Sequence, residues 1–385
     1  MKFVCLQDHL KYGISTVSHA VATKSPLPVL SHLLIATDQG RLKLAATNLE
    51  IGITCWIDAQ IEEEGAVTIP ARLLNDVIGG LPNDQVTITL NDQTQSIEIR
   101  CAQFITNIKG MEANEFPPIP TVNEQTATVS LPPDILRHAI EQVAFAAAND
   151  DTRPVLTGVL IRLQGEKLIF AAADGFRLAT REVALPADAL PDNDSMQEFL
   201  VPARALTEMA RILANMPGSE ENRVSMTVTS TGGQILFHTA TVDLISRLIE
   251  GKFPDFERIM PKEHQTRAVL DTKALSNAVK LASHFAAHSQ HIVKLTMQPG
   301  SELEPGKLII SANAAEVGDN TGELDGMIAG VEGQIAMNVR YLSEALNAIK
   351  TPEVVIESQT AQNPGVFRPV GQEEYVHIIM PMTIR

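Results

Sequence analysis

Pro28-Val29-Leu30-Ser31-His32-Leu33-Leu34-Ile35 returns as Pro154-Val155-Leu156-Thr157-Gly158-Val159-Leu160-Ile161 and, blurred, as His291-Ile292-Val293-Lys294-Leu295. The phrases on either side return with it. Upstream lies a helix phrase: Leu10, Ile14 and Val17, then Leu136, Ile140 and Val143, then Leu275, Val279 and Ala282. Downstream lies a strand phrase, Leu42–Asn48, Leu168–Asp174 and Leu308–Ala314. A second helix phrase follows as Pro70-Ala71-Arg72, Pro202-Ala203-Arg204 and Asn338-Val339-Arg340, its arginines 132 and 136 residues apart. Each copy closes on an apolar-Pro step: Ile119-Pro120, Met260-Pro261 and Met380-Pro381. Five phrases in register make a triplicated domain, with copies at 1–127, 128–262 and 263–385. The period is too long for a solenoid repeat and has the size of an independent domain. The boundaries fall in the polar stretches Val122–Gln125 and Lys262–Gln265.

Each copy reads as α+β. The helical phrases space apolar residues at i, i+4 and i+7, which gives one buried stripe and one solvated face. In the second helices the stripe is expected at Leu73, Val77 and Leu81, at Leu206, Met209 and Leu213, and at Leu342, Leu346 and Ile349. β-rich runs such as Val86–Leu90, Ser96–Arg100, Val224–Val228 and Gln234–Phe237 alternate with turn residues at Asn91-Asp92 and Gly232-Gly233. Two helices on one side of antiparallel sheets is the expected unit.

No apolar run approaches the ~20 residues of a membrane span, and the amino terminus shows no secretion signal. Three cysteines, Cys5, Cys55 and Cys101, form no CxxC pair, which fits small buried residues in a reducing cytoplasm. The formal charge of −16 ordinarily counts against nucleic-acid binding, which rests on Lys and Arg neutralising phosphates. Charge acts locally, within about 8 Å at physiological salt. The acids concentrate in Glu62–Glu64, Asp188–Asp194, Glu302–Glu304 and Asp319–Asp325, which read as loops and edges. The repeated helices carry Lys11, Arg72, Arg137, Arg204, Lys273, Lys280 and Arg340 among mixed charges.

An enzyme reading finds little support. His284, His288 and His291 have helical metal-ligand spacing, but no carboxylate or thiol completes the set and the other copies lack it. Asp319-Asn320-Thr321-Gly322-Glu323 has part of a calcium-loop pattern without its required Glu, and reads as a loop. Walker, G-x-S-x-G and H-E-x-x-H motifs are absent. No catalytic, cofactor or metal residues are assigned.

The phrases resemble one family nearly end to end, the bacterial DNA polymerase III beta subunit or sliding clamp. The resemblance is carried by Met1-Lys2-Phe3, Leu27-Pro28-Val29-Leu30, Thr68-Ile69-Pro70-Ala71-Arg72, Ala173-Asp174-Gly175-Phe176-Arg177-Leu178-Ala179, Gly251-Lys252-Phe253-Pro254-Asp255-Phe256 and Ile379-Met380-Pro381-Met382. It implies a head-to-tail homodimer forming a ring, helices inside and sheets outside, that encircles duplex DNA without reading sequence. It implies Lys24, Arg72, Arg153 and Arg204 as DNA-facing residues. It further implies a pocket for a short partner motif, a Gln followed by a Leu/Phe pair, formed by Leu156, Gly175, Phe176, Arg177, Leu178, Pro254, Arg258, Ile259, Ile378, Ile379, Met380, Pro381 and Met382. Its users would be the replicative polymerase's catalytic subunit, the clamp loader and other motif-bearing proteins. Phe176 stands where His is common and Thr383 where Arg is common, and Pro154-Val155 replace an aromatic pair.

Ring closure requires unpaired sheet edges. One is expected along Phe104–Ile108, with Phe104, Thr106 and Ile108 in the contact, the other near Ala282–Phe285, with Phe285 in the contact, and the strand beyond it. A triplicated protein-interaction scaffold that does not act on DNA is the alternative. It gives no reason for arginines to recur at 72, 204 and 340.

Overall fold

The computed structural model describes residues 1–22, 24–120, 129–185, 197–216, 222–229, 232–301 and 304–383. Among the described residues six α-helices come two to a copy: α1 (Gln7–Ser18) and α2 (Ala71–Gly80), α3 (Pro133–Val143) and α4 (Ala203–Ala214), α5 (Thr272–Ala286) and α6 (Val339–Ala348). The stripes expected on α1, α3 and α5 are all buried, from Leu10, Ile14 and Val17 through Leu275, Val279 and Ala282. Caps fix where the later helices begin. The Asp271 carboxylate accepts from Ala274 N at 2.7 Å, and the Asn338 side chain accepts from Arg340 N at 2.9 Å. Gly13 lets α1 settle onto its sheet, since a Cβ there would meet Leu44 Cδ1 at 2.6 Å. Gln7 ties α1 to the end of α2, donating Nε2 to the Ile78 carbonyl at 2.6 Å.

Two sequence expectations are corrected. On α2 the buried stripe is Ala71, Leu74 and Ile78, while Leu73 is 49 % exposed. Leu74, two residues after Arg72, is the counterpart of Leu206 and Leu342, and the i, i+3, i+7 set lies on the sheet-facing side. The phrases at Pro28 and Pro154 open as 3-10 turns, Pro28–Ser31 and Pro154–Leu156, before the strands His32–Asp38 and Gly158–Gln164 begin. Proline fixes φ and offers no N–H to a ladder, so each strand starts after it.

The described residues pack as two compact units. The first joins Met1–Arg137 to Glu208–Leu248; the second joins the rest of the second copy to everything from Ile249 onward. The expected boundary at 127 lies outside the described residues, and that at 262 follows Met260-Pro261.

Three sheets are present among the described residues. A five-stranded sheet in the first unit ends on Phe104–Lys109, and a nine-stranded sheet occupies the same unit. A twelve-stranded sheet occupies the second. The large sheets are continuous across copies, and the seam is built the same way twice. Strand Ile51–Ile57 of the first copy pairs antiparallel with Val242–Arg247 of the second, Cys55 opposite Val242 and Ile51 opposite Ser246. Strand Arg177–Ala184 of the second pairs with Tyr375–Ile379 of the third, Arg181 opposite Tyr375 and Arg177 opposite Ile379.

Among the described residues, the counterparts of these seam strands in the remaining copies, Phe104–Lys109 in the first and Gly318–Gly330 in the third, have no such mate. Phe104–Lys109 pairs only with Ser96–Cys101. The long strand Gly318–Gly330 pairs with Gly306–Ala314 over 318–326 and with Thr266–Asp271 over 327–330, which leaves its first nine residues open on one side. The expected edge beyond Phe285 is therefore corrected. The strand after α5, Ile292–Gln298, is flanked on both sides, by Gly306–Ala314 and Gly333–Asn338. Asp319–Glu323, expected as a loop, lies within the open strand; ladder pairing with Gly306–Ala314 overrides the weak β-propensity of Gly, Asp and Asn.

Candidate functional site

Asp174, Gly175, Phe176 and Arg177 make a tight turn ahead of the strand Arg177–Ala184. The Asp174 carboxylate accepts from the amides of Phe176 at 2.8 Å and Arg177 at 3.1 Å, a side chain standing in for backbone. Gly175 has φ +94°, a conformation glycine adopts at no steric cost. The turn throws Phe176 outward, where its side chain is 60 % exposed.

Arg177 goes the other way and is 7 % exposed. Its Nε donates to Asp174 Oδ2 at 3.1 Å, its Nη2 to the Phe145 carbonyl at 2.7 Å, and its Nη1 to the Glu344 carboxylate on α6. The guanidinium also lies over the rings of Tyr341 (4.5 Å) and Phe145 (5.3 Å). Its donors are committed internally, so it braces the wall behind the turn. Next to it His377 is fully buried, its ring stacked on Phe145 at 5.5 Å, with no hydrogen-bond partner for either ring nitrogen. Burial, with Arg177 beside it, pushes its pKa down to about 3.

Leu178 sits opposite Ile378, and both are buried in a cluster with Leu156, Val366, Phe253 and Phe256. Over this floor stand exposed apolar groups. Met380 N donates to the Phe176 carbonyl at 2.8 Å, which places the 38 % exposed Met380 beside the 60 % exposed Phe176. The turn after Phe256 adds Arg258 and Ile259, both exposed, and Pro254 is exposed just before it. Ile379 is buried in the final strand, which ends there. Met382 N then donates to the Ala336 carbonyl at 2.8 Å, so Pro381 and Met382 run beside strand Gly333–Asn338. They border a cavity of about 510 Å³ shared with Lys294, Gln334, Ala336 and Gln362. Sequence reasoning missed these four, which carry no motif; Lys294 and Ala336 are set opposite each other by strand pairing, and Met382 docks beside them.

The expected DNA-facing residues are spread over separate elements. Arg72, Arg204 and Arg340 each occupy the second position of their helix, all are exposed, and none is ion-paired among the described residues. Lys24 is exposed in the loop after α1. Arg153 is exposed but anchored, its Nη2 donating to the Asp174 carbonyl at 2.8 Å and its guanidinium resting on Gly175, at the groove's rim. At the unmated edges Phe104 is 47 % and Ile105 57 % exposed, whereas Ile108 is buried and Thr106 half-buried. Phe285 is half-buried on α5, near the 59 % exposed Leu281. Ile105 belongs to the expected edge run Phe104–Ile108, and alternation points it away from the core; Leu281 was not expected. Helix α5 stops at Ala286, so His288 and His291 do not share a helix face with His284. All three cysteines are free and buried.

Comparison with known proteins accounts for this architecture. Family models of the DNA polymerase III beta subunit match along the chain: the N-terminal domain at 1–120, the central domain at 130–255 and the C-terminal domain at 257–383. The beta sliding clamp of Synechococcus elongatus is 34 % identical over the full length of both chains, and that of Synechocystis is 31 % identical over the same span. The crystal structure of the DNA polymerase sliding clamp from Bacillus subtilis superposes with a TM-score of 0.90 at 27 % identity, covering all of both chains. On these grounds the chain belongs to the DNA polymerase III beta subunit family, the beta sliding clamps.

Proposed function

We propose that two copies of this chain close head to tail into a ring around duplex DNA. On this reading the ring holds the replicative polymerase to its template through the groove beside Phe176 and Met380. The clamp role in DNA replication and the absence of catalysis come with the family. The ring, the groove's occupants and the residues involved are our reading. The observation that carries it is the seam made twice within the chain, with the counterpart strands Phe104–Lys109 and Gly318–Gly330 left without a mate. In both internal seams the first residue of one strand lies opposite the fifth of the other. Applied to the unmated pair, the rule sets Phe104 of one copy opposite Gly322 of the other, and Ile108 opposite Gly318. Glycines on one side make room for large apolar residues on the other. The 322 position faces Ala278 of α5, so Phe104 would land on that helix beside Leu281 and Phe285.

A ring needs no base readout, because enclosure replaces affinity. Weak attraction of phosphates to Lys24, Arg72, Arg153, Arg204 and Arg340 would centre the duplex and permit sliding. The acidic balance of the rest of the surface would discourage binding elsewhere. The clamp loader and other proteins with a Gln plus Leu/Phe motif would use the same groove as the polymerase. Among the described residues no helix is long and apolar enough to cross a membrane, and free buried cysteines suit work in a reducing cytoplasm.

The test is retention on DNA. After loading, the protein should stay on closed circular DNA and run off linear DNA of the same sequence. Equal retention on both would refute enclosure.

A further inference from the structure

A second concavity adjoins the groove, and its chemistry is different. It is a cavity of about 480 Å³ bordered by Pro261, His264, Arg267, Glu357, Val366 and Arg368. The strand registers show how it is joined to the groove. Leu178 lies opposite Ile378, Ile378 opposite Val366, Val366 opposite Glu357, and Glu357 opposite Arg267. These residues form one lateral row across five adjacent strands. The row begins in the apolar floor and ends in charge. Leu178, Ile378 and Val366 are buried beneath Phe253 and Phe256, with Met260 packed against them, whereas Arg267 is open to solvent. The segment after Phe253 walls both ends, with Pro254 and Ile259 at the groove, then Pro261 and His264 at the cavity.

At the charged end one carboxylate is shared by two arginines and a histidine. Arg267 Nε and His264 Nδ1 each lie 3.6 Å from Glu357 Oε1, and Arg368 Nε lies 3.4 Å from Oε2. None of these contacts is a tight bidentate pair, and the side chains of Arg267 and Arg368 are 44 % and 30 % exposed. Their guanidinium forks keep donors free for a second anion. Lys262, Glu263 and Glu373 also line the cavity, so its attraction for acidic groups rests on the open donors of Arg267 and Arg368 and not on a net positive charge.

We propose that this cavity receives acidic side chains of a partner peptide whose apolar anchor sits in the neighbouring groove. Strands are about 4.8 Å apart, so Ile378 to Arg267 is roughly 14 Å, a reach of about four extended residues. A segment crossing the strands would thus carry its acids to Arg267 and Arg368 about four residues from the anchor. The inference rests on the groove reading above and specifies which flanks the groove prefers.

The experiment measures binding of synthetic peptides to the full-length protein by fluorescence anisotropy. One peptide carries only a Gln and a Leu-Phe pair; others add three aspartates, or three lysines, about four residues beyond the pair at either end. One acid-flanked peptide should bind about tenfold tighter than the core peptide at low salt, with the gain falling below about twofold at high salt. The lysine flanks should give no gain. The double variant Arg267→Gln/Arg368→Gln should bind the core peptide as the wild type does and lose the acidic gain. The single variant Glu357→Gln keeps both arginines, frees them from their carboxylate, and should tighten the acid-flanked peptide about threefold. Core binding with no acidic gain, or a gain that survives the double variant, overturns the inference alone. Failure of the core peptide to bind overturns the groove reading and this inference with it.

Discussion

Phe176 and Met380 are fastened to each other through their backbones, the Met380 amide donating to the Phe176 carbonyl at 2.8 Å, while both side chains stay exposed. The pair is held in place without being used up in the core. Replacing Phe176 with Ala should weaken binding of a Gln/Leu-Phe peptide about 30-fold, the size of an interface hot spot. Its exposure means the stability change should stay within about 0.5 kcal/mol. Titration calorimetry and urea denaturation on one preparation separate the two effects; a large loss of stability would reassign Phe176 to the fold.

Arg177 behaves oppositely. Its partners include the Asp174 carboxylate, the Phe145 carbonyl and Glu344, and removing it leaves buried acceptors unpaired. Arg177→Ala should cost about 3 kcal/mol of unfolding free energy. Glu344→Gln should cost under about 1 kcal/mol, because that side chain is 47 % exposed and the pair is partly screened. Urea midpoints of the two variants should differ clearly, and equal midpoints would show that Arg177 does not brace the turn.

His377 sets a pH dependence whose sign is fixed by its burial. Its folded pKa is lowered to about 3 from 6.5, so below pH 6.5 the unfolded chain takes up a proton that the folded chain refuses. The contribution of neutral His377 is complete above pH 6.5 and is lost as pH falls toward 3, at about 1.4 kcal/mol per pH unit. His377→Phe, which keeps a ring against Phe145, should flatten this slope between pH 6 and 4 in urea titrations.

His238 runs the other way. Its hydrogen bond to Asp243, at 2.6 Å, raises its pKa, so the pair's contribution is present below the ordinary histidine range and fades as pH rises through the raised value. Histidine NMR titration of the intact protein should show His238 titrating above 6.5, with Asp243→Asn bringing it down.

Phe104→Asp should convert the dimer to monomer in light scattering across a dilution series, raising the dissociation constant at least about a hundredfold. The same variant should keep its far-UV spectrum, since Phe104 lies at an exposed edge. A dimer that survives this change would place the interface elsewhere.

The repeat made the architecture legible, because three copies of one apolar pattern reinforce each other where a single copy is ambiguous. The helices from Leu10 to Val17 and from Leu275 to Ala282 stand where the spacing put them. The Asp174–Arg177 turn was legible through its motif, but not that Arg177 points inward, which depends on Phe145, Tyr341 and Glu344 arriving from distant sequence. The strand at Gly318–Gly330 was hidden by its composition. Glycines and acids read as loop, and only pairing with Gly306–Ala314 makes them a strand. The row from Leu178 to Arg267 was invisible for a similar reason: it crosses five strands and owes nothing to sequence proximity.

The seams at Cys55–Val242 and Arg181–Tyr375 join strands of one covalent chain, so their parts stay at a high effective concentration that dilution cannot lower. A seam formed by Phe104–Ile108 against Gly318–Gly322 of another molecule has no tether and answers to mass action. With the same backbone geometry at every joint, a closed assembly would have two kinds of joint that differ only in connectivity. Its gates would be the untethered ones.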